Sequence, residues 1–200
     1  MFSSSREVYG NSETIIHNED NAQVRHCESP YTASKLAGEA FVHAYQQCYA
    51  MQIVILRFSN VYGMYDISDR VIPLFIKKCR AGEDMVIYGE DKLLDFTYID
   101  DTIAGILQCI KKFKAIHGNV FNIAYGEGTP IIKIANLVKE ALKSDSKIII
   151  EDTRTGEVIK YIGDITRVKE KIGYAPKIAI TEGIKKTIAW YSAYYSSRKA

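Results

Sequence analysis

At 200 residues, with 47% hydrophobic and 25% charged residues and a formal net charge of +2, the chain suits one globular domain, or a domain with a small lobe, and can build a real core. Its basic residues are scattered among acids and form no stripe, which excludes the electrostatic footprint of a nucleic-acid binder. No apolar run approaches membrane-spanning length and Met1-Phe2-Ser3-Ser4-Ser5 is no signal peptide, so a cytoplasmic protein without a membrane partner is expected.

Strands and helices alternate. Phe2–Ser5 reads as the end of a strand, followed by a polar loop through Cys27 and a helix from Pro30 to about Tyr49. Ser29 is a preferred N-cap and Pro30 is favoured at the first helical position, which fixes where this helix starts. Ile53 to Phe58 is short, apolar and rich in β-branched residues, the pattern of a buried parallel strand, and Asn60-Val61-Tyr62-Gly63 is expected to end it. Ile72 to Arg80 has helical spacing and stops near Gly82, and Met85 to Tyr88 is a short strand stopped by Gly89. Asp100 to Lys112 is a second amphipathic helix, and Val120 to Ala124 a further buried strand.

Beyond Gly126 the pattern changes to a smaller unit: a helix from Ile131 to Lys143, a strand from Lys147 to Glu151, and a closing helix from Glu182 to about Tyr195. In that last helix Ile184, Ile188, Tyr191 and Tyr195 recur at helical spacing and read as core. This order predicts an α/β fold with a doubly wound parallel sheet, which binds ligands outside the carboxyl ends of its strands. Two such ends carry polar groups, Ser3-Ser4-Ser5-Arg6-Glu7 and Ser59-Asn60.

The four cysteines, Cys27, Cys48, Cys79 and Cys109, show no Cys-x-x-Cys spacing, and three lie in apolar helical stretches, so reduced, packed thiols are expected. His17, His26, His43 and His117 have no ligand spacing with one another or with the cysteines, so no metal site is expected.

Tyr31 and Lys35 stand one helical turn apart behind the Ser29 cap, a pairing that can make a base of a phenol. The same Tyr-x-x-x-Lys string recurs at Tyr88/Lys92, where it runs through Gly89 in a polar turn, and at Tyr195/Lys199 near the C-terminus. Only the first copy has a capped helix to hold its geometry. A free phenol ionises near pH 10, so a tyrosine base working near pH 7 needs roughly 4 kcal/mol of help. An ammonium about 5 Å away, at an effective dielectric of about 20, supplies on the order of 3 kcal/mol.

Five motifs follow in order: Ser-Ser-Ser-Arg-Glu-Val-Tyr-Gly at 3–10, Tyr-Thr-Ala-Ser-Lys at 31–35, Arg-Phe-Ser-Asn-Val-Tyr-Gly at 57–63, Asp-Phe-Thr-Tyr-Ile-Asp-Asp at 95–101, and Arg-Thr-Gly-Glu-Val at 154–158. Together they resemble the extended short-chain dehydrogenase/reductases, in the order and spacing of the nucleotide-sugar epimerase/dehydratase branch. The resemblance implies an NAD-dependent enzyme in which Tyr31 takes a proton from a sugar hydroxyl. Lys35 supports it, Ser5 hydrogen-bonds the reacting oxygen, and Glu7 is a further catalytic group. Tyr31, Lys35 and Phe58 would meet NAD. Beside Ser5, the implied substrate contacts are Asn60 and Arg154 at the sugar diphosphate, Arg70 and Tyr88 at the nucleotide and its base, and Glu157 at the ribose hydroxyls.

The resemblance also implies a partial Rossmann-type domain in residues 1–63 and 95–125 and a nucleotide-sugar lobe in 64–94 and 126–200. A homodimer would form through the helices starting near Pro30 and Asp100, where Ala37, Gly38 and Ala40 would permit close approach or pack within one subunit. Three departures bear on function. The 4,6-dehydratases resembled here usually carry an aspartate where Arg6 stands, which favours C4 epimerisation of a UDP-hexose or similar sugar through a keto intermediate. A decarboxylase or 4,6-dehydratase on the same scaffold is the alternative, since Glu7 is retained. Leu94 stands where many relatives have an arginine, removing one phosphate contact. Finally, no glycine-rich NAD fingerprint can be drawn, because Gly126-Glu127-Gly128 lacks a third glycine at the required distance. The chain therefore reads as the C-terminal portion of such an enzyme, inactive alone; a non-catalytic nucleotide-sugar-binding or oligomerising remnant is the competing class.

Overall fold

The structure is a computed structural model that describes residues 1–197, so Lys199 of the third Tyr-x-x-x-Lys string lies outside the described residues. In chain order, β1 (Phe2–Ser5) leads through three short 3₁₀ turns and the two-residue β2 (Ile16–His17) to α1 (Pro30–Tyr49). Then come β3 (Val54–Phe58), β4 (Asn60–Tyr62), α2 (Val71–Ala81), β5 (Met85–Tyr88), β6 (Leu93–Tyr98), α3 (Ile99–Lys111), the short α4 (Phe113–Ile116) and β7 (Asn119–Ile123). The remainder holds β8 (Gly128–Pro130), α5 (Ile131–Leu142), β9 (Ile148–Glu151), β10 (Lys160–Gly163), α6 (Thr166–Ile172) and α7 (Ile180–Ser197).

Mixed α/β architecture with parallel sheets is what the alternating pattern demanded. β3 lies between β1 and β7, parallel to both, and its run of Val54, Ile55 and Leu56 is buried, as expected for a strand covered on both faces. A second sheet runs in the order β2-β10-β6-β4, with β8 antiparallel on β6, while β5 and β9 form a separate parallel pair. One core gathers Val54, Phe121, Ile123, Val168, Ile172 and Tyr174. A larger one joins Tyr9, Tyr62, Phe75, Tyr98 and Ile134 to Ile184, Ile188 and Tyr191 of α7, with Tyr195 packed against it.

Several expectations need correction. The loop through Cys27 is structured: Val8, Tyr9, His17 and Glu19 within it are buried. Asn60 to Tyr62 does not end a strand but makes a new one, because the chain crosses to the second sheet and pairs with Phe96 to Tyr98. All four cysteines are free, yet only Cys79 and Cys109 are buried. Cys48 lies on an exposed part of α1, so its apolar neighbours in sequence do not pack around it.

His17 stacks on Tyr9, at 4.8 Å between ring centroids, and on Tyr161, at 5.8 Å, in a three-ring cluster whose two tyrosines are themselves 5.8 Å apart. Burial pushes its imidazole down to about 4, with nearby His26 adding to the effect. A histidine held neutral contributes stability above its unfolded pKa and loses it as pH falls toward the folded one, here between about 6.5 and 4. Asp95 acts with the opposite sign. Burial pushes its carboxyl up to about 6, so its contribution is full at low pH and lost as pH rises from about 4 to 6. Replacing His17 by phenylalanine keeps an aromatic ring in the stack and removes the proton uptake. The His17→Phe variant is expected to lose about 2 kcal/mol less stability than the parent between pH 7 and 4.5; urea unfolding at the two pH values measures this, and an equal loss in both proteins would contradict it.

Candidate active site

The carboxyl ends of β1 and β3 and the start of β4 open onto a cavity of about 670 Å³. Ser5 ends β1 and caps the following 3₁₀ turn, its Oγ accepting from the Glu7 amide at 3.2 Å. Arg6 turns inward, pairs with Glu7 at 2.7 Å and donates from Nε to Asn60 Oδ1 at 2.9 Å. Asn60 donates in turn to the Asp95 carbonyl at 2.7 Å. Asn60 is thus fixed from both sides, with β4 and β6 setting its position.

Asp95 is the pin of this corner. It is fully buried, and its carboxylate accepts from the amides of Tyr125 (3.0 Å), Gly126 (2.8 Å) and Gly163 (3.3 Å). These bonds tie β6 to the turn after β7 and to the end of β10, and they partly offset the desolvation that raises its pKa.

The Ser29 cap forms as expected, its Oγ accepting from the Thr32 amide at 3.1 Å. It starts α1 so that Tyr31, 52% exposed, lines the cavity. The Lys35 ammonium lies 5.5 Å from the Tyr31 ring centroid and donates to the Ser3 carbonyl at 3.0 Å. Helix α1 and strand β1 therefore hold the pair jointly.

Beneath them runs a network that the motifs did not reveal. Glu39 of α1 accepts from Arg57 of β3 through both oxygens, at 2.9 and 2.7 Å, and from Ser4 of β1 at 2.5 Å. Arg57 also donates to the Glu19 carbonyl at 2.6 Å and to the Tyr9 hydroxyl at 3.2 Å.

Of the remaining candidates, Asn60, Arg70, Tyr88, Arg154, Glu157 and Glu7 all line the cavity. Arg70 is exposed and stands just ahead of α2. The Arg154 guanidinium lies 3.4 Å from the Tyr88 ring centroid, a stacked cation and aromatic at one wall. Glu157 is paired with Lys92, a buried lysine that lies outside the five motifs. Lys35 and Phe58 do not line the cavity; Phe58 packs against the core of β3 and β7. Leu94 is buried in the cavity wall.

Of the three residues expected to meet NAD, Tyr31 and Lys35 present polar groups that a cofactor could use, whereas Phe58 is half-buried against the core. Lys35 uses one of three donors on Ser3, leaving others for ligand hydroxyls, and the outer edge of β1 is unpaired among the described residues. Chemically, an accessible phenol above a cation, a serine hydroxyl, a cation stacked on an aromatic ring and several basic groups suit proton transfer on an anionic, ring-bearing ligand.

A sequence profile described as GDP-mannose 4,6 dehydratase matches residues 1–187. A dTDP-glucose 4,6-dehydratase from Actinoplanes is 30% identical over 192 residues, covering 95% of this chain and 59% of that protein. A UDP-glucose 4-epimerase from Thermotoga maritima, solved with UDP-glucose, superposes with a TM-score of 0.86 at 29% identity over 97% of this chain and 63% of its own. A UDP-glucuronic acid 4-epimerase from Bacillus cereus, solved with UDP-glucuronic acid and NAD, gives a TM-score of 0.90 at 28% identity over 96% of this chain and 61% of its own. The chain spans about three fifths of the length of the relatives it matches. With the profile running over nearly all of it and the fold shared with these enzymes, this chain belongs to the GDP-mannose 4,6 dehydratase family, within the extended short-chain dehydrogenase/reductases.

Proposed function

We propose that this chain carries the substrate side of an NAD-dependent nucleotide-sugar 4-epimerase acting on a UDP-hexose or a similar sugar. The observation that supports it most is convergence: Ser5, Tyr31, Asn60, Tyr88, Arg154 and Glu157, spread over most of the sequence, line one cavity. In this reading Tyr31 takes the proton from the sugar O4, Ser5 holds the same oxygen, and Tyr31 later returns the proton. Lys35 favours the phenolate. Asn60, Arg70 and Arg154 hold the nucleotide diphosphate, Tyr88 meets the base and Glu157 the ribose. NAD, when bound against Tyr31, Lys35 and Phe58, supplies the hydride exchange at the sugar carbon.

Residues 1–63 and 95–125 serve the cofactor side, and 64–94 and 126–200 the nucleotide-sugar side. Epimerisation is favoured over 4,6-dehydration by Arg6, which occupies Glu7 at 2.7 Å and leaves no aspartic acid at its own position to protonate a departing hydroxyl. A homodimer is supported by the exposed apolar faces of α1, with Phe41, Tyr45 and Tyr49, and of α3, with Ile103, Leu107 and Ile110. Gly38 serves within the subunit instead, since a Cβ there would lie 2.3 Å from the Phe2 ring. No helix among the described residues is long and apolar enough to cross a membrane, and the four free thiols suit the cytoplasm, where we place the protein.

The test is product analysis. Alone, the 200-residue chain is expected to show no turnover of UDP-glucose with added NAD; combined with a polypeptide carrying a glycine-rich βαβ unit that pairs with β1, it is expected to yield the C4 epimer. A 4-keto-6-deoxy product would select the dehydratase alternative, nucleotide-sugar binding without any turnover would select the remnant, and turnover by the chain alone would overturn the division of labour.

A further inference from the structure

Lys92 faces the cavity that holds Tyr31 and Arg154. It stands immediately before β6, two residues ahead of Leu94, and strand alternation directs both side chains to one face. Its backbone is held on both sides, the amide donating to the Gly89 carbonyl at 3.3 Å and the carbonyl accepting from Ile131 at 3.1 Å. Lys92 is only 9% exposed, and Glu157 is the one protein partner of its ammonium among the described residues. An ammonium has three donors, so two remain unmet by protein, in a wall that also contains Leu94, Phe96 and Val158. Glu157 is the more solvated member of the pair, with 35% of its side chain exposed against 11% for Lys92. A cation kept this dry, with a single partner that water also reaches, is an arrangement that an anion in the cavity would complete.

We propose that Lys92 is the cation that grips the diphosphate of the ligand, with Glu157 aligning its ammonium. This rests on the nucleotide-sugar reading above and adds to it a residue and a location. The charge missing at Leu94 is restored from one step back along the same strand face. Arg154, stacked on Tyr88, then meets the same diphosphate from its nucleoside end.

Calorimetric titration of the purified 200-residue chain with UDP and with uridine, without NAD, tests this. Lys92→Leu is expected to weaken UDP binding about tenfold to a hundredfold, the size of a charge-assisted hydrogen bond, and to leave uridine binding unchanged. Adding Leu94→Arg to that variant is expected to restore UDP affinity, since position 94 shares the cavity face. Unchanged UDP affinity in Lys92→Leu would overturn the proposal. So would recovery in a Lys92→Leu/Glu157→Gln double variant, which would trace the loss to an unpaired carboxylate. Should the leucine form not fold, Lys92→Gln keeps the reach without the charge and is expected to show the same loss. Failure of the unaltered chain to bind UDP at all would instead bring down the nucleotide-sugar reading, and this one with it.

Discussion

Tyr31→Phe is expected to lower the kcat of the NAD-loaded, complemented enzyme about a thousandfold, within the range that a positioned acid or base contributes, while KM for the nucleotide sugar stays within a few fold. The variant removes one oxygen from a side chain that is half exposed and whose hydroxyl has no hydrogen-bond partner among the described residues, so the fold loses little. The loss therefore falls on the proton-transfer step, and a fall in kcat without a matching rise in KM is the signature of an interaction made in the transition state. Lys35→Met is expected to act on the same step but with a different pH profile. Its ammonium lies 5.5 Å from the Tyr31 ring centroid and is anchored on the Ser3 carbonyl, where under the proposed mechanism a cation stabilises negative charge developing on the phenol oxygen in the transition state. Without it, turnover is expected to climb with pH well beyond neutrality, whereas Tyr31→Phe stays low throughout. Stopped-time assays from pH 6 to 10 separate the two, and undiminished turnover by Tyr31→Phe would remove Tyr31 from the chemistry.

What could be read in advance divides along physical lines. Strands buried on both faces and capped helices announce themselves: β3 is a continuous apolar run, and α1 begins with Ser29 and Pro30 in the positions that helix starts prefer. The strands that escaped notice carry residues that deny the pattern. β6 has Asp95 near its centre, a carboxylate made tolerable largely by three amides distant in sequence, at Tyr125, Gly126 and the end of β10, and those amides cannot be foreseen from Leu-Leu-Asp-Phe-Thr-Tyr. β8 consists of Gly-Thr-Pro, two of whose residues disfavour sheets, and α6 has seven residues, too few for a helical period to show.

The site followed the same division. Of the candidate residues in the five motifs, Ser5, Glu7, Tyr31, Asn60, Arg154 and Glu157 share a cavity, while Lys35 and Phe58 do not line it. The Tyr-x-x-x-Lys string that contains Lys92 crosses Gly89 and forms no helix, so nothing in the string itself marks this lysine. Tyr88 ends β5 and Lys92 precedes β6, yet both side chains line the same cavity. The signal available was period two: a lysine two places before Leu94 must share its face.

Arg57 offered a comparable signal, a charge inside an apolar strand, and its partner gives the largest expected effect on stability. Glu39→Ala is expected to cost about 3–5 kcal/mol. For a chain of this size that lowers Tm by roughly 10 °C. The carboxylate is 6% exposed, chelates the Arg57 guanidinium and accepts from Ser4, so its removal leaves a buried cation with only the Tyr9 hydroxyl and the Glu19 carbonyl. Replacing both partners, as Glu39→Leu with Arg57→Met, is expected to cost less than Glu39→Ala alone, because apolar side chains of similar volume leave no stranded charge. Chemical denaturation of the three proteins measures this order; a double variant less stable than Glu39→Ala would show that the pair's own attraction exceeds the cost of burying it. The pair also has a geometric role. Glu39 joins α1, which carries Tyr31 and Lys35, to β3 through Arg57 and to β1 through Ser4, one residue before Ser5. A folded double variant is therefore expected to bind nucleotide sugar normally through Arg154 and Tyr88 while losing kcat, since only the alignment of Tyr31 with Ser5 depends on the pair.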